Sequence, residues 1–562
     1  MRIAVAAGAD GGGRLRPLAE DGTPAGPAET VPDLAAAVAA RERAERGDGG
    51  APRWVWPATA RLYPRLLAAG VRVERCHDLE LVESLLSGHA GRYGEPRSVA
   101  AAWARLRGEP VPEDAPPPGE QGPQASLFDT ASFSAEEPLP GGDDLEQIVA
   151  VHAEQQRRVA GLDGFALLAA AESAGSLVAA EMGHDGLPWS RERHDALLTD
   201  LLGPRPSGGL RPRRLQELAD RISAAFGPRV HVNPDSPVQI VKAFAAAGQP
   251  ITSTRAHVLK RLDHPAVPLL LEYKELSRLH TAHGWTWLDT WVRDGRFRPE
   301  YVVGGVVSGR WATNGGGALQ IPRVLRQAVV ADPGWSLVVA DAAQLEPRVL
   351  AALAGDRAFA DAAAHGDLYA ALSHAFTDGG ELTARDKAKL ALLSAMYGGG
   401  TGDAVQFLAV LKNRFPDAFG YVEAAARAGE RGHLVRSLLG RTCPPPSADW
   451  RALTSTDEDD RSASALRSRG RFTRNFVVQA TAADWALALL GTLRLRLARM
   501  GAPRLVFFQH DEVIVHAPAE LAAEVADAVR ASAQDARRLL FGDTPVVFPM
   551  EAVVVDSYAD AK

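Results

Sequence analysis

Val506-Phe507-Phe508-Gln509-His510-Asp511-Glu512-Val513-Ile514-Val515-His516 sets a His-Asp-Glu triplet between two runs of strand-forming apolar residues. The pattern predicts a β-hairpin that holds its acids rigidly at the tip, a suitable mount for a catalytic divalent cation. An acid at a hairpin tip is also the ordinary turn residue. A second acid adds weight to the metal reading. In Trp335-Ser336-Leu337-Val338-Val339-Ala340-Asp341-Ala342-Ala343-Gln344-Leu345-Glu346-Pro347-Arg348-Val349-Leu350, an apolar strand runs into Asp341. A helical pattern begins near Pro347, since proline is favoured at the first helical position. Asp341 then lies at a strand end beside a helix N-terminus, where a simple capped turn is the alternative. Two carboxylates that meet across neighbouring strands repel unless cations lie between them.

A third segment, Arg385-Asp386-Lys387-Ala388-Lys389-Leu390-Ala391-Leu392-Leu393-Ser394-Ala395-Met396-Tyr397-Gly398, has the composition of a helix that breaks at glycines 398 to 400. Arg385, Lys389, Leu393 and Tyr397 recur every fourth residue and drift through only about 120° of the helix circumference. One face presents two cations, an apolar contact and an aromatic ring. A basic helix face is commonly just a solvated face. A nucleoside triphosphate nonetheless needs that order of groups, charge for the phosphates and a flat surface near the base.

In chain order these segments resemble the three polymerase motifs of family A DNA polymerases, the bacterial DNA polymerase I class. The family's Asp-Tyr-Ser-Gln-Ile-Glu-Leu-Arg reads here as Asp341 to Arg348. Its Arg, Lys and Tyr-Gly spacing is met by Arg385, Lys389, Tyr397 and Gly398, and its third motif by His510-Asp511-Glu512. Ser308-Gly309-Arg310 with Leu319-Gln320-Ile321-Pro322, and Asn475 with Gln479-Ala480-Thr481-Ala482-Ala483-Asp484, match further family stretches. Asn233 to Pro237 and Glu272 to Ser277 look like its thumb. The resemblance spans about residues 170 to 562.

The resemblance implies an α+β right-hand polymerase: an antiparallel palm sheet, helical fingers and a helical thumb, behind a small α/β exonuclease-like domain. It implies a DNA-directed DNA polymerase working on primer-template DNA and deoxynucleoside triphosphates with two Mg²⁺ ions. Asp341, Asp511 and the Ala342 carbonyl are the expected metal ligands, with Glu512 as support for that site and Lys389 as proton donor to pyrophosphate. Arg385, Lys389, Leu393, Tyr397, Glu346, Gln344 and Tyr369 are assigned to the incoming nucleotide. Arg310, Asn475, Gln479, His510 and Arg471 are assigned to DNA. Glu346 is able to block a 2′-hydroxyl.

Three departures stand out. Leu393 replaces an aromatic residue against the sugar, Asp367-Leu368-Tyr369 stands in place of the family's Asp-Ile-His, and Ala342-Ala343 replaces Tyr-Ser. None removes an indispensable charge. Two rivals are a phage-type single-subunit RNA polymerase, which has a small residue at the place of Glu346, and a catalytically silent DNA-binding homologue.

The chain has 562 residues, enough for several domains at roughly one per 150. Its net charge of −7 gives no support to nucleic-acid binding, so a local basic groove is required. Candidates are Arg255 to Arg261, Arg310, Arg323, Arg326 and Arg467 to Arg474. Two cysteines, Cys76 and Cys443, leave no disulfide framework. No apolar stretch reads as long enough to cross a bilayer, and a cytoplasmic monomer is expected. Expected boundaries are an exonuclease-like domain at 1–109, a Pro/Gly/acidic linker at 110–145 and the polymerase at 146–562. Within the last, the thumb takes about 170–300, the palm 301–365 and 475–562, and the fingers 366–474. The stretch Cys443 to Asp460 reads as an irregular loop.

The N-terminal domain is expected to form a strand at Trp54-Val55-Trp56 and a helix from Ala58 to Ala69. An active exonuclease needs clustered acids around two metals, beginning with Asp-x-Glu on the first strand. Residues 1 to 10 hold no such pair, and Asp78-Leu79-Glu80 has the letters in the place of a later motif. An inactive exonuclease and no 5′-nuclease domain are expected.

Overall fold

A computed structural model describes residues 1–44, 50–115, 144–318, 321–377, 382–398, 403–455 and 460–561. Most of the expected linker, Leu319 and Gln320, Gly399 and Gly400, and the acids from Asp457 to Asp459 lie outside the described residues.

The N-terminal unit is a mixed five-stranded sheet in the order β3-β2-β1-β4-β5. Its strands are β1 (Arg2–Ala7), β2 (Gly13–Leu18), β3 (Glu29–Val31), β4 (Arg53–Trp56) and β5 (Arg75–Asp78). β1 pairs antiparallel with β2 and parallel with β4, and β4 is parallel with β5. Alternation along β1 separates two cores. Ile3, Val5 and Ala7 pack with Trp54, Trp56 and Tyr63 on one face, while Ala4 and Ala6 pack with Val55, Leu79 and Ile148 on the other. The strand expected at Trp54 is β4, and the helix expected from Ala58 is Thr59–Ala68.

Two small sheets follow. β6 (Leu187–Pro188), β7 (Val292–Arg293) and β8 (Arg296–Phe297) form one in the order β6-β8-β7, and β9 (Glu300–Val302) pairs with β10 (Ala312–Asn314) in the other. Between β6 and β7 lie the helices Arg191–Leu202, Arg213–Phe226, Pro237–Ala246 and Ala266–His283. The two thumb-like segments meet here, since Asp235 accepts from the Tyr273 hydroxyl at 2.8 Å and from Arg211 at 2.8 Å. The helix Phe165–Asp185, whose residues 170–185 fall in the expected thumb, packs instead on the N-terminal sheet and on the helix Asp460–Met500.

The palm sheet is antiparallel, in the order β12-β13-β11-β14, with β11 (Trp335–Ala342), β12 (Arg504–Gln509), β13 (Glu512–Pro518) and β14 (Met550–Val555). The expected hairpin is β12–β13, with His510 and Asp511 in its turn. Val338, Val339, Ala340, Val513, Ile514 and Val515 are all buried, so the centre of this sheet is covered on both faces. The helices Ala522–Phe541 and Asp460–Met500 pack against the sheet. Gly429 lets the helix Pro416–Glu430 close onto the 41-residue helix Asp460–Met500, because a Cβ there would overlap Thr473.

Three expectations need correction. The helix after Asp341 begins at Leu345, with Gln344 in the left-handed region as its cap, so Pro347 sits third in the first turn; its missing N–H is harmless there too. The stretch Cys443 to Asp460 contains the helix Ala448–Thr454, started by the Ser447 hydroxyl, and Cys443 is buried. Two helices, Phe165–Asp185 and Asp460–Met500, are long and apolar enough by composition to cross a bilayer. Their apolar windows are 61% and 83% buried inside the fold, as in core helices.

Candidate active site

The sheet register places the acids. On β11, Asp341 lies opposite Glu512 of β13 and Glu551 of β14. The Ala342 N–H donates to the Asp511 carbonyl at 3.1 Å, so Asp341, Ala342 and Asp511 share one end of the sheet. Both aspartates are half-buried. His510 holds φ at 57°, which makes the sharp turn that brings Asp511 to this end. Burial and the nearby Arg310 lower the pKa of its imidazole. Glu512 is 5% exposed and accepts from the Tyr558 hydroxyl. Burial, then the Glu512 charge, raises the phenol's pKa. Glu512 is thereby tied from beneath, which suits a supporting role.

The first turn of Leu345–Ala354 carries Glu346, whose side chain is 11% exposed. Arg310 donates to Oε1 and the Tyr397 hydroxyl to Oε2, the latter at 2.5 Å. Burial followed by the Glu346 contact raises the Tyr397 pKa. Gln344 lines the cavity beside Glu346 and also has partners within the fold. Its amide donates to Asp367 Oδ1 at 2.9 Å and its oxygen accepts from the Leu368 N–H at 2.9 Å. It locks the turn before the helix Leu368–Ser373.

The helix Ala384–Tyr397 ends at Gly398, which takes the left-handed cap conformation at φ 65°. Arg385 donates from Nε to Asp367 Oδ2 at 2.8 Å, with its guanidinium 5.6 Å from the Tyr369 ring centroid. Burial pushes the Asp367 carboxyl up, yet the bonds from Arg385, Gln344 and the Ala370 N–H hold it at about 2. Tyr369 is buried. Lys389, one turn beyond Arg385, is exposed and has no ion-pair partner among the described residues. Leu393, Met396 and Tyr397 line a cavity of about 220 Å³ together with Arg310, Glu346, His510 and Asp511.

The fourth wall is the helix Asp460–Met500, which contributes Ala482 and Ala483. Asn475 and Gln479 precede them at helical spacing and are half-buried. The Asn475 Oδ1 is buried without a hydrogen-bond partner among the described residues. Arg471 is exposed, with its stem against Gly398. Of the basic candidates, Arg326 lies over the Tyr558 ring, Arg474 pairs with Glu423 and Arg469 donates to the Pro444 carbonyl. Arg255, Arg261, Arg323, Arg467 and Arg471 remain exposed.

Asp341, Asp511 and the Ala342 backbone make an all-oxygen donor set. Mg²⁺ takes such a set with one or two carboxylates, completed by waters and substrate phosphates, so these residues fit that ion. Among the described residues, no group of three or more His, Cys, Asp or Glu side chains is arranged to hold a metal. In the N-terminal unit, Asp78 is buried and accepts from the Thr59 N–H at 2.7 Å and the Leu81 N–H at 3.0 Å, while Glu80 pairs with Arg61 at 2.5 Å.

Two contributors carry no role in the sequence reading. Buried Arg348 donates to the carbonyls of Ala343, Ala363, His365, Gly366 and Val547, joining the helix after Asp341 to the rest of the palm. Asp367 organises Gln344 and Arg385; its cap position before an apolar run was the signal for it.

Similarity to known proteins follows the same segments. The chain is 28% identical over 331 residues to a thermostable DNA polymerase I of Thermus thermophilus, covering 54% of this chain and 37% of that protein. It is 29% identical over 335 residues to DNA polymerase I of Chloroflexus aurantiacus, covering 54% and 33%. The chain thus spans about a third of the length of these curated relatives. A solved structure of the POL domain of Pol1 from M. smegmatis, in complex with DNA primer-template and dNTP, shares the right-hand fold. The TM-score is 0.71 at 19% identity, over 100% of this chain and 96% of that one. The model of DNA polymerase family A matches residues 211–554, a stretch that contains both aspartates, the basic helix and the cavity between them, and the chain belongs to that family.

Proposed function

We propose that the chain is a DNA-directed DNA polymerase that extends a primer 3′-hydroxyl with deoxynucleoside triphosphates. The observation that carries this reading is the convergence of Asp511, Glu346, Arg310, Leu393 and Tyr397 on one cavity, beside the strand end that bears Asp341. Phosphoryl transfer leaves a protein little covalent work, so positioning and charge neutralisation dominate. Asp341, Asp511 and the Ala342 carbonyl would hold two Mg²⁺ ions, which when bound lower the pKa of the primer hydroxyl and neutralise charge on the leaving pyrophosphate. Arg385 and exposed Lys389 bind the triphosphate, and Lys389 gives a proton to pyrophosphate. Asn475 Oδ1, Gln479 and Arg310 contact the minor-groove edge near the new pair, where shared acceptors permit a check without reading sequence. His510 touches the primer end and Arg471 the template.

Within the same reading, residues 1–109 form a reduced exonuclease-like domain without activity, since Asp78 is committed to two backbone N–H groups and Glu80 to Arg61. Two buried, unpaired cysteines suit a reducing cytoplasm, and the enzyme acts there as a monomer. Primer extension with separate deoxy- and ribonucleotide pools tests the activity. Extension with deoxynucleotides in Mg²⁺ is expected; extension with ribonucleotides alone, or none, refutes it. A mismatched 3′ end should persist in the absence of nucleotides.

A further inference from the structure

A cavity of about 500 Å³ lies outside the cleft, among three helices of the N-terminal unit. Leu79–His89 supplies Glu83, Val99–Arg107 supplies Arg105, and Leu145–Ala160 supplies Glu154, Arg157 and Arg158; Arg92 closes the rim. Its charged lining is four arginines against two glutamates, and with Glu95 paired to Arg92 at the rim the excess is one positive charge.

The internal pairing does not use up this charge. Glu83 is 3% exposed and serves both inner arginines through one oxygen, Arg105 at 3.1 Å and Arg158 at 3.4 Å. Its other oxygen accepts from Gln155 at 3.1 Å. Arg105 Nη1 is left buried with no hydrogen-bond partner. A desolvated guanidinium nitrogen without an acceptor is unfavourable, and no acceptor among the described residues relieves it. On the rim, Arg157 pairs with Glu154 and Arg92 with Glu95, contacts worth little in water and easily exchanged.

We infer that this cavity binds a phosphate group, held by Arg105 and Arg158 at its base and by Arg92 and Arg157 at its mouth. Planar guanidinium forks match phosphate oxygens in pairs, and the volume suits a nucleotide-sized guest. The phosphate comes from a free nucleotide or from the phosphodiester of a single DNA strand, which present the same group. The site abuts the polymerase unit: Arg436 donates to the His89 carbonyl at 3.3 Å, and Gly91 lies against Leu434. The inference is independent of nucleotide addition.

The test uses the full chain in chelator, so that divalent cations play no part. Probes are inorganic phosphate, thymidine 5′-monophosphate and a short labelled oligodeoxythymidylate. Arg105 and Arg158 neutralise buried Glu83, so their removal threatens folding, and the rim carries the test. Arg92→Glu with Arg157→Glu is expected to weaken the bound probe about tenfold and to lower the salt dependence of oligonucleotide binding by about one ion per arginine. Arg92→Lys with Arg157→Lys retains most of the affinity. Arg530→Glu on the C-terminal helix leaves it unchanged. Loss confined to the oligonucleotide identifies a strand phosphodiester, and loss of monophosphate binding identifies a nucleotide. Affinities for all three probes within about twofold of wild type in the double Glu variant overturn the inference.

Discussion

The Tyr397 hydroxyl donates to Glu346 Oε2 at 2.5 Å across 51 residues of sequence, while Arg310 holds Oε1 of the same carboxylate. A side chain pinned from both sides cannot swing aside for a larger guest. The helix Ala384–Tyr397 and the first turn after β11 are thereby joined at the cavity.

Glu346→Ala is expected to raise ribonucleotide incorporation relative to deoxynucleotide about tenfold or more, because a steric clash is the natural device against one extra hydroxyl. Tyr397→Phe removes one of the two restraints and should shift the ratio in the same direction by less. Steady-state incorporation of matched substrates measures both. If Glu346 served only the positive end of its helix, both activities would fall together with the ratio unchanged.

Asp341→Ala and Asp511→Ala are each expected to reduce nucleotide addition by about a thousandfold or more while primer-template binding persists. Single-turnover extension in Mg²⁺, alongside filter binding of the same DNA, separates the two effects.

Asp367 gives a pH signature. Its carboxyl is held at about 2 against an ordinary value of 3.8, so the stability it contributes is fully present above 3.8 and is lost as pH falls toward 2. Its side chain is 40% exposed, which screens the Arg385 contact to at most about 1 kcal/mol. The difference in thermal midpoint between wild type and Asp367→Asn should be constant above pH 4 and should shrink between about pH 4 and 2.

Arg441 is 6% exposed and pairs with buried Asp484 at 2.8 Å and buried Glu172 at 2.7 Å. Arg441→Met leaves two buried carboxylates without a countercharge, and a loss of about 3–5 kcal/mol is expected. Chemical denaturation of the two proteins checks it. The triple variant Arg441→Met, Glu172→Gln, Asp484→Asn should recover part of the loss.

What the sequence determines is local. The hairpin around His510-Asp511, the strand into Asp341 and the helix from Ala384 to Tyr397 follow from period-2 runs, a 3.6-residue period and a glycine stop, all carried within a dozen residues or so. The placing of Asp341 and Asp511 at one end of the sheet is legible for the same reason, since each acid sits at the end of its own element. The choice of partners is not local. Glu346 with Tyr397, Gln344 with Asp367, Arg348 with five backbone carbonyls, and Arg441 with a glutamate 269 residues away depend on which surfaces the packed core brings together. No periodicity encodes those distances. A helix start at Leu345 rather than at Pro347 is a smaller case of the same kind: Gln344 accepts a left-handed backbone because Asp367 and Leu368 anchor its amide, and that anchor exists only once the chain has folded.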